Sequence, residues 1–273
     1  MPSLHLNADA CTKCGICIAN CPIRIIAPDE NGLPALVSGG EARCMACGHC
    51  ESLCPTNAVS VADERLSDQR CPFQEVSLAP EKLGAYLRSR RSIRSYREAP
   101  VDKKVLEGLF DVVRYAPTAR NTQTVRWLLI HDTKELKRLT GIAIDWMRHV
   151  AATDAQMNAA YDFGGLVAAW ENGYDPICRK APHLAVAYGP EDSHFTGNDA
   201  IIALSYLDAA APAFGLGTCW AGLFQAALTN WEPLRKALDL PAGCVSIYAM
   251  MLGYPEAKYH RIPKRNPLSL TWR

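Results

Sequence analysis

The chain has 273 residues, 49% of them hydrophobic and 21% charged, with a formal net charge of +1. That length suits two small domains better than one. The composition excludes a disordered chain, and the near-neutral charge gives no indication of a nucleic-acid partner. No basic segment followed by an apolar core opens the chain, so no signal peptide is expected. The longest uncharged stretch, Ala209–Trp231, is interrupted by Pro212, Gly215, Gly217 and Gly222, so it is expected to form a helix end, a loop and another helix, not a membrane span. Twelve cysteines without a secretion signal point to a reducing, cytoplasmic setting. Residues 1–75 carry five Lys/Arg against nine Asp/Glu, whereas residues 76–273 carry 24 against 19. A basic second part of this kind suits an anionic ligand.

In chain order, the first feature is a duplicated cysteine unit. Cys11, Cys14, Cys17 and Cys21-Pro22 are matched, 33 positions on, by Cys44, Cys47, Cys50 and Cys54-Pro55. A cubane cluster takes one thiolate per iron, and in this spacing the fourth cysteine serves the other cluster. The expected sets are therefore Cys11, Cys14, Cys17 and Cys54 for one [4Fe–4S] cluster, and Cys44, Cys47, Cys50 and Cys21 for the other. Zinc is the alternative reading, but its sites favour two close pairs of ligands over a triplet plus a lone Cys-Pro. Ile16, Ile18, Ile23, Ile26, Val59 and Val61 are candidates to shield the clusters from water, and His49 is a cluster neighbour or a surface residue, not a ligand. Cys71, Cys178, Cys219 and Cys244 are left over and read as small buried hydrophobes.

The cluster domain spans residues 1–63, and a polar, turn-rich linker spans 64–80. The remaining domain, 81–273, mixes helices and strands without regular alternation, so the fold class is α+β. Helices are expected over 81–91 and over 103–115, the latter capped by Asp102. A strand follows at Val125–His131, and Asp132 with Glu135 forms a capping box for the next helix. Residues 140–180 are helical but broken at Gly164-Gly165 and between Gly173 and Pro176. His183–Tyr188 reads as a strand, Asn198 as the cap of a helix reaching about Ala213, and Ala242–Gly253 as the last strand.

Three fragments of this second domain carry chemistry. Arg90-Arg91-Ser92-Ile93-Arg94 offers three guanidiniums and a hydroxyl, a set suited to phosphate, although a basic helix end taken alone is more often a solvated face. Ala116-Pro117-Thr118-Ala119-Arg120-Asn121-Thr122-Gln123 is a polar loop that could present backbone and amide groups to a planar ring. Pro263-Lys264-Arg265-Asn266-Pro267 is basic and proline-locked.

Residues 5–63 resemble bacterial two-[4Fe–4S] ferredoxins. The three fragments, together with Tyr96, Gly215-Leu216-Gly217-Thr218-Cys219-Trp220-Ala221-Gly222 and Gly253-Tyr254-Pro255, resemble the FMN-dependent nitroreductase family over residues 82–267. This second resemblance implies an α+β homodimer with FMN at the subunit interface. It implies that Arg90, Arg91, Ser92 and Arg94, helped by Lys264 or Arg265, hold the phosphate and ribityl chain. It also implies that Thr118, Ala119 and Asn121 reach the flavin of the other subunit, and that Ala221 and Gly222 pass close to the ring. The family often continues Asn-x-Gln with Pro-Trp; here Gln123 is followed by Thr124-Val125, which puts the role of Gln123 in doubt. Trp146, Tyr161, Trp170 and Arg179 are candidates to face a substrate, and no catalytic acid is assigned, because the flavin carries the redox chemistry.

The expected activity is an iron–sulfur flavoprotein oxidoreductase. It passes electrons from a low-potential donor through two [4Fe–4S] clusters to FMN and on to an electron-poor small molecule such as a nitro-compound or quinone. The donor is a separate ferredoxin or NAD(P)H, although no Gly-x-Gly-x-x-Gly fingerprint is present. The alternatives are a relay to a partner protein and a redox sensor.

Overall fold

The computed structural model describes residues 2–64 and 76–273. The chain divides into two compact units: Met1–Val76 with Ala119–Gln123, and Ser77–Thr118 with Thr124–Arg273. Cys71 and most of the expected linker lie outside the described residues. Among those described, no helix is long and apolar enough to cross a membrane.

The first unit is built from the duplication. Strand β1 (Ser3–Leu6) pairs antiparallel with β4 (Val59–Ala62), and β2 (Ile26–Pro28) pairs with β3 (Pro34–Leu36). Between them lie three single-turn helices, α1 (Ile16–Ala19), α2 (Gly40–Arg43) and α3 (His49–Ser52). The two repeats share one backbone path. Lys13 and Ala46 (φ 55 and 49°), Gly15 and Gly48 (both 71°), and Arg24 and Asn57 (53 and 54°) are left-handed at matching positions. Gly15 and Gly48 open α1 and α3, where a positive φ is cheapest for glycine.

The second unit is a four-stranded antiparallel sheet in the order β5 (Arg126–Ile130), β6 (His183–Pro190), β8 (Cys244–Gly253), β7 (Gly217–Trp220). Both faces are covered. On one face Leu184, Val186, Ala249 and Met251 pack with α6 (Thr133–Thr153), α8 (Phe163–Glu171), α10 (Gly222–Asn230) and α11 (Glu232–Leu238). On the other, Ala185, Ala187, Met250 and Leu252 pack with α5 (Lys103–Val113) and α9 (Thr196–Ala210). Alternate strand residues thus enter opposite cores, which explains the unbroken apolar runs of β6 and β8. Helix α4 (Pro80–Ser89) is tied to the end of α9, because the Tyr86 hydroxyl donates to the Ala209 carbonyl at 2.7 Å. One further helix, α7 (Ala155–Tyr161), joins α6 to α8.

Several boundaries differ from expectation. Asp102 and Asp132 do cap α5 and α6, accepting from the Lys104 and Lys134 amides at 2.7 and 2.8 Å. Glu135, however, turns to Arg138 instead of closing a capping box. The helical region breaks at Asp154 and Asp162, not at Gly164-Gly165. Asp162 is left-handed and accepts from the Gly165 amide, and a Cβ on Gly165 would lie 2.3 Å from the Asp162 carboxylate. The glycines therefore admit the cap. Asn198 is not a cap: α9 starts at Thr196, whose hydroxyl bonds the Pro190 carbonyl at 2.8 Å. Ala209–Trp231 contains strand β7 where only a loop was expected, because β7 is four residues long and its partner β8 lies far along the chain.

Candidate functional site

In the first unit, the eight motif cysteines line two cavities. One is bounded by Cys11, Cys14, Cys17 and Cys54, with Ile16, Ile18 and Val59. The other is bounded by Cys44, Cys47, Cys50 and Cys21, with Ile23, Ile26 and Val61. Each cavity therefore takes its fourth cysteine from the opposite repeat. His49 stands on the wall of the second.

The backbone aims donors at these sulfurs. The Ile25 amide reaches Cys21 Sγ at 3.5 Å, and at the matching position the Ala58 amide reaches Cys54 Sγ at 3.2 Å. The Ala46 amide reaches Cys44 Sγ at 3.4 Å. Burial raises the Cys17 thiol and pushes Cys50 up to about 11. At Cys54 burial also acts upward, but bonds from Thr56, Val59 and Ala58 outweigh it and the thiol is lowered. Four thiols per cavity, an apolar wall and N–H donors on sulfur fit a cluster that is negatively charged and shielded from water.

In the second unit, the Arg-rich fragment leaves α4 at Arg90 and runs extended beside β7. The Ile93 amide donates to the Thr218 carbonyl at 2.8 Å, and the Arg97 amide to the Tyr254 carbonyl at 2.9 Å. Ile93 and Tyr96 are buried, while Ser92 and Arg94 are not. The period of an extended chain explains the split between Ile93 and its two neighbours. Arg90 pairs with Asp208 of α9 at 3.0 Å, and Asp208 also accepts from the Thr218 hydroxyl. Arg91 instead folds back on its own helix, donating to the Ser89 and Arg88 carbonyls.

Cys219 of β7 registers the local charge. Burial raises its thiol, Asp208 adds to that, and Arg94, Arg179 and Arg90 oppose it. Arg90 and Arg94 are thus joined by Arg179, which sequence alone placed among the substrate-facing candidates. Three guanidiniums acting on one thiol, of which only Arg90 is paired with Asp208, suit an anion such as a phosphate.

Ala221 is buried, with its amide on the Ala249 carbonyl at 2.9 Å, and Gly222 is the exposed first residue of α10. A Cβ on Gly222 would meet the Tyr248 hydroxyl at 3.3 Å. Lys264 and Arg265 lie on an exposed tail without regular structure. Thr118 belongs to this unit, while Ala119 and Asn121 group with the first, where the Asn121 amide donates to the carbonyls of Met45 (3.2 Å) and Ala46 (3.0 Å). That partnership, across 75 positions to Ala46, carries no sequence signal. Of the remaining cysteines, Cys178 and Cys219 are buried and Cys244 is half-buried.

The nitroreductase family model matches residues 87–254. The chain belongs to the nitroreductase family. A 4Fe-4S dicluster domain matches residues 10–58, so this nitroreductase carries an N-terminal iron–sulfur ferredoxin domain. The chain is 28% identical to an FMN reductase [NAD(P)H] of Bacillus subtilis over 65% of its own length and 69% of that protein. Its first part is 36% identical to a ferredoxin of Pyrobaculum islandicum, covering 30% of this chain and 77% of the ferredoxin. The fold is similar to that of a nitroreductase with bound FMN from Bacteroides fragilis, with a TM-score of 0.55, 17% identity, and coverage of 70% of this chain and 98% of that one. This nitroreductase is an FMN-dependent oxidoreductase with an iron–sulfur domain.

Proposed function

We propose that this nitroreductase takes electrons from a low-potential donor, a separate ferredoxin or NAD(P)H, and delivers them to an electron-poor small molecule such as a nitro-compound or quinone. When bound, two [4Fe–4S] clusters supply one-electron steps and FMN supplies the two-electron chemistry. The observation that carries this reading is the pair of cavities, each lined by four cysteines, in a chain that is also a flavin-dependent reductase. Cys11, Cys14, Cys17 and Cys54 would hold one cluster, and Cys44, Cys47, Cys50 and Cys21 the other.

Arg90, Ser92 and Arg94 would hold the FMN phosphate and ribityl chain, with Arg91, Lys264 and Arg265 closing on it when the homodimer forms. Ala221 and Gly222 would let the backbone approach the ring. Thr118, Ala119 and Asn121 would serve the flavin of the other subunit, Asn121 through its Oδ1, since its amide donates to Met45 and Ala46. A homodimer is supported by apolar side chains left exposed on α5, α9 and the tail, among them Val112, Ile201, Ile202, Leu268 (84% exposed) and Trp272 (86%).

The test is anaerobic purification followed by iron and FMN quantitation, then reduction by reduced ferredoxin and by NAD(P)H in parallel. About eight irons and about one FMN per chain are expected. A preparation with flavin but about four irons or fewer would reject the two-cluster reading. Failure of reduced ferredoxin to reduce the protein, alongside rapid reduction by NAD(P)H, would reject the ferredoxin donor.

A further inference from the structure

Three left-handed, non-glycine residues crowd one short segment: Arg120 (φ 53°), Asn121 (54°) and Gln123 (49°). Such backbone persists only where its surroundings hold it in place, and it concentrates at functional sites. Within the first unit, the Asn121 amide spans two consecutive carbonyls, Met45 and Ala46, at 3.2 and 3.0 Å. Ala46 is itself left-handed and buried, a conformation that alanine adopts at a cost. In that conformation the Ala46 N–H points at Cys44 Sγ, 3.4 Å away. Met45 and Cys44 both line the second cysteine cavity.

We propose that Asn121 is a positioning residue for the iron–sulfur site lined by Cys44, Cys47, Cys50 and Cys21. Its amide holds the Met45–Ala46 turn so that the Ala46 N–H stays on the Cys44 sulfur. An N–H dipole on a ligand sulfur favours the cluster's more negative, reduced state, so this contact raises the reduction potential of that site. Asn121 lies outside the ferredoxin motif, and it couples the potential of one site to a residue of the nitroreductase sequence. The inference rests on the two-cluster reading proposed for the cysteine cavities.

The test is an anaerobic redox titration of the full-length protein followed by electron paramagnetic resonance, with iron and FMN measured on the same samples. Asn121→Asp is the primary variant, because aspartate tolerates the left-handed backbone while replacing the donor with a carboxylate that repels both carbonyls. Asn121→Ala is the second variant. The expected result is that one cluster couple moves to lower potential with altered g-values, the other stays in place, and iron content is unchanged in at least one variant. Selective loss of the site that Cys47→Ser also removes would support the same role. Unchanged couples in both variants would overturn the inference, and loss of FMN with unchanged couples would overturn it too, leaving Asn121 to the flavin alone. Absence of the two couples from the unmutated protein would instead reject the two-cluster reading.

Discussion

Arg90 and Asp208 form an ion pair at 3.0 Å, and the same carboxylate takes the Thr218 hydroxyl. Asp208 is buried, and a buried carboxylate that loses a partner is costly to the fold. Arg90 also acts with Arg94 against the burial that raises the Cys219 thiol, in the region where the flavin phosphate is proposed to lie.

Removing the arginine alone should therefore harm the fold as well as the ligand. Arg90→Ala is expected to cost about 1–3 kcal/mol in flavin-stripped protein, because it leaves a buried carboxylate with one partner fewer. Adding Asp208→Asn should recover most of that stability but not FMN retention. Denaturant melts and FMN titration of the two variants separate the effects. In parallel, Arg90→Ala with Arg94→Ala should strip FMN and leave cluster absorbance unchanged.

The cavity linings predict which serine variants behave alike. Cys54→Ser should resemble Cys17→Ser, and Cys21→Ser should resemble Cys47→Ser, with each retaining about four irons. Electron paramagnetic resonance of the reduced variants checks the pairing. If Cys21→Ser instead matched Cys17→Ser, the ligand sets would be uncrossed.

His183 predicts an acid weakness. Its ring stacks on His131 at 4.3 Å, its Nε2 accepts from the Val101 amide at 2.8 Å, and it is fully buried. Burial, then the neighbouring His131, lowers it from 6.5 to about 4. The unfolded chain takes up this proton below 6.5 while the folded chain resists until about 4, so stability should fall as pH drops through that window and be fully present above it. Denaturant midpoints at about pH 7.5 and about pH 5 should differ less in His183→Gln than in the unmutated protein.

A close approach at Gly217 predicts steric intolerance. A Cβ there would lie 2.3 Å from Ile93 Cγ1 and 3.0 Å from Pro255. Gly217→Ala should cost about 1–3 kcal/mol and loosen FMN, because the displaced Ile93 sits between Ser92 and Arg94. Thermal melts and flavin content check this, and Ile93→Ala, which removes the clashing Cγ1, should relieve part of the loss.

Local chemistry made much of this molecule readable. The cysteine spacing, the Asp102 and Asp132 caps, and the long strands β5, β6 and β8 all rest on neighbours within a few residues. Contacts between distant positions, the crossed cysteine sets excepted, were not readable. Strand β7 is too short for its pattern to show, and β8 defines it. The Arg179 contribution depends on a fold that brings it near Cys219, and the Asn121 amide meets Met45 and Ala46 only through tertiary structure. At Gly164-Gly165 the composition misleads, since those glycines accommodate a cap in place of breaking a helix.

The interchange of fourth cysteines bears on biogenesis. Neither cavity is walled by four thiols from its own repeat: the first needs Cys54 and the second needs Cys21. A nascent chain emerging from the ribosome would therefore expose three sulfurs of the first set for more than thirty residues of synthesis before the completing one appeared. If the two cavities hold the proposed clusters, metal loading would have to wait for the whole duplicated segment, and both sites would mature together.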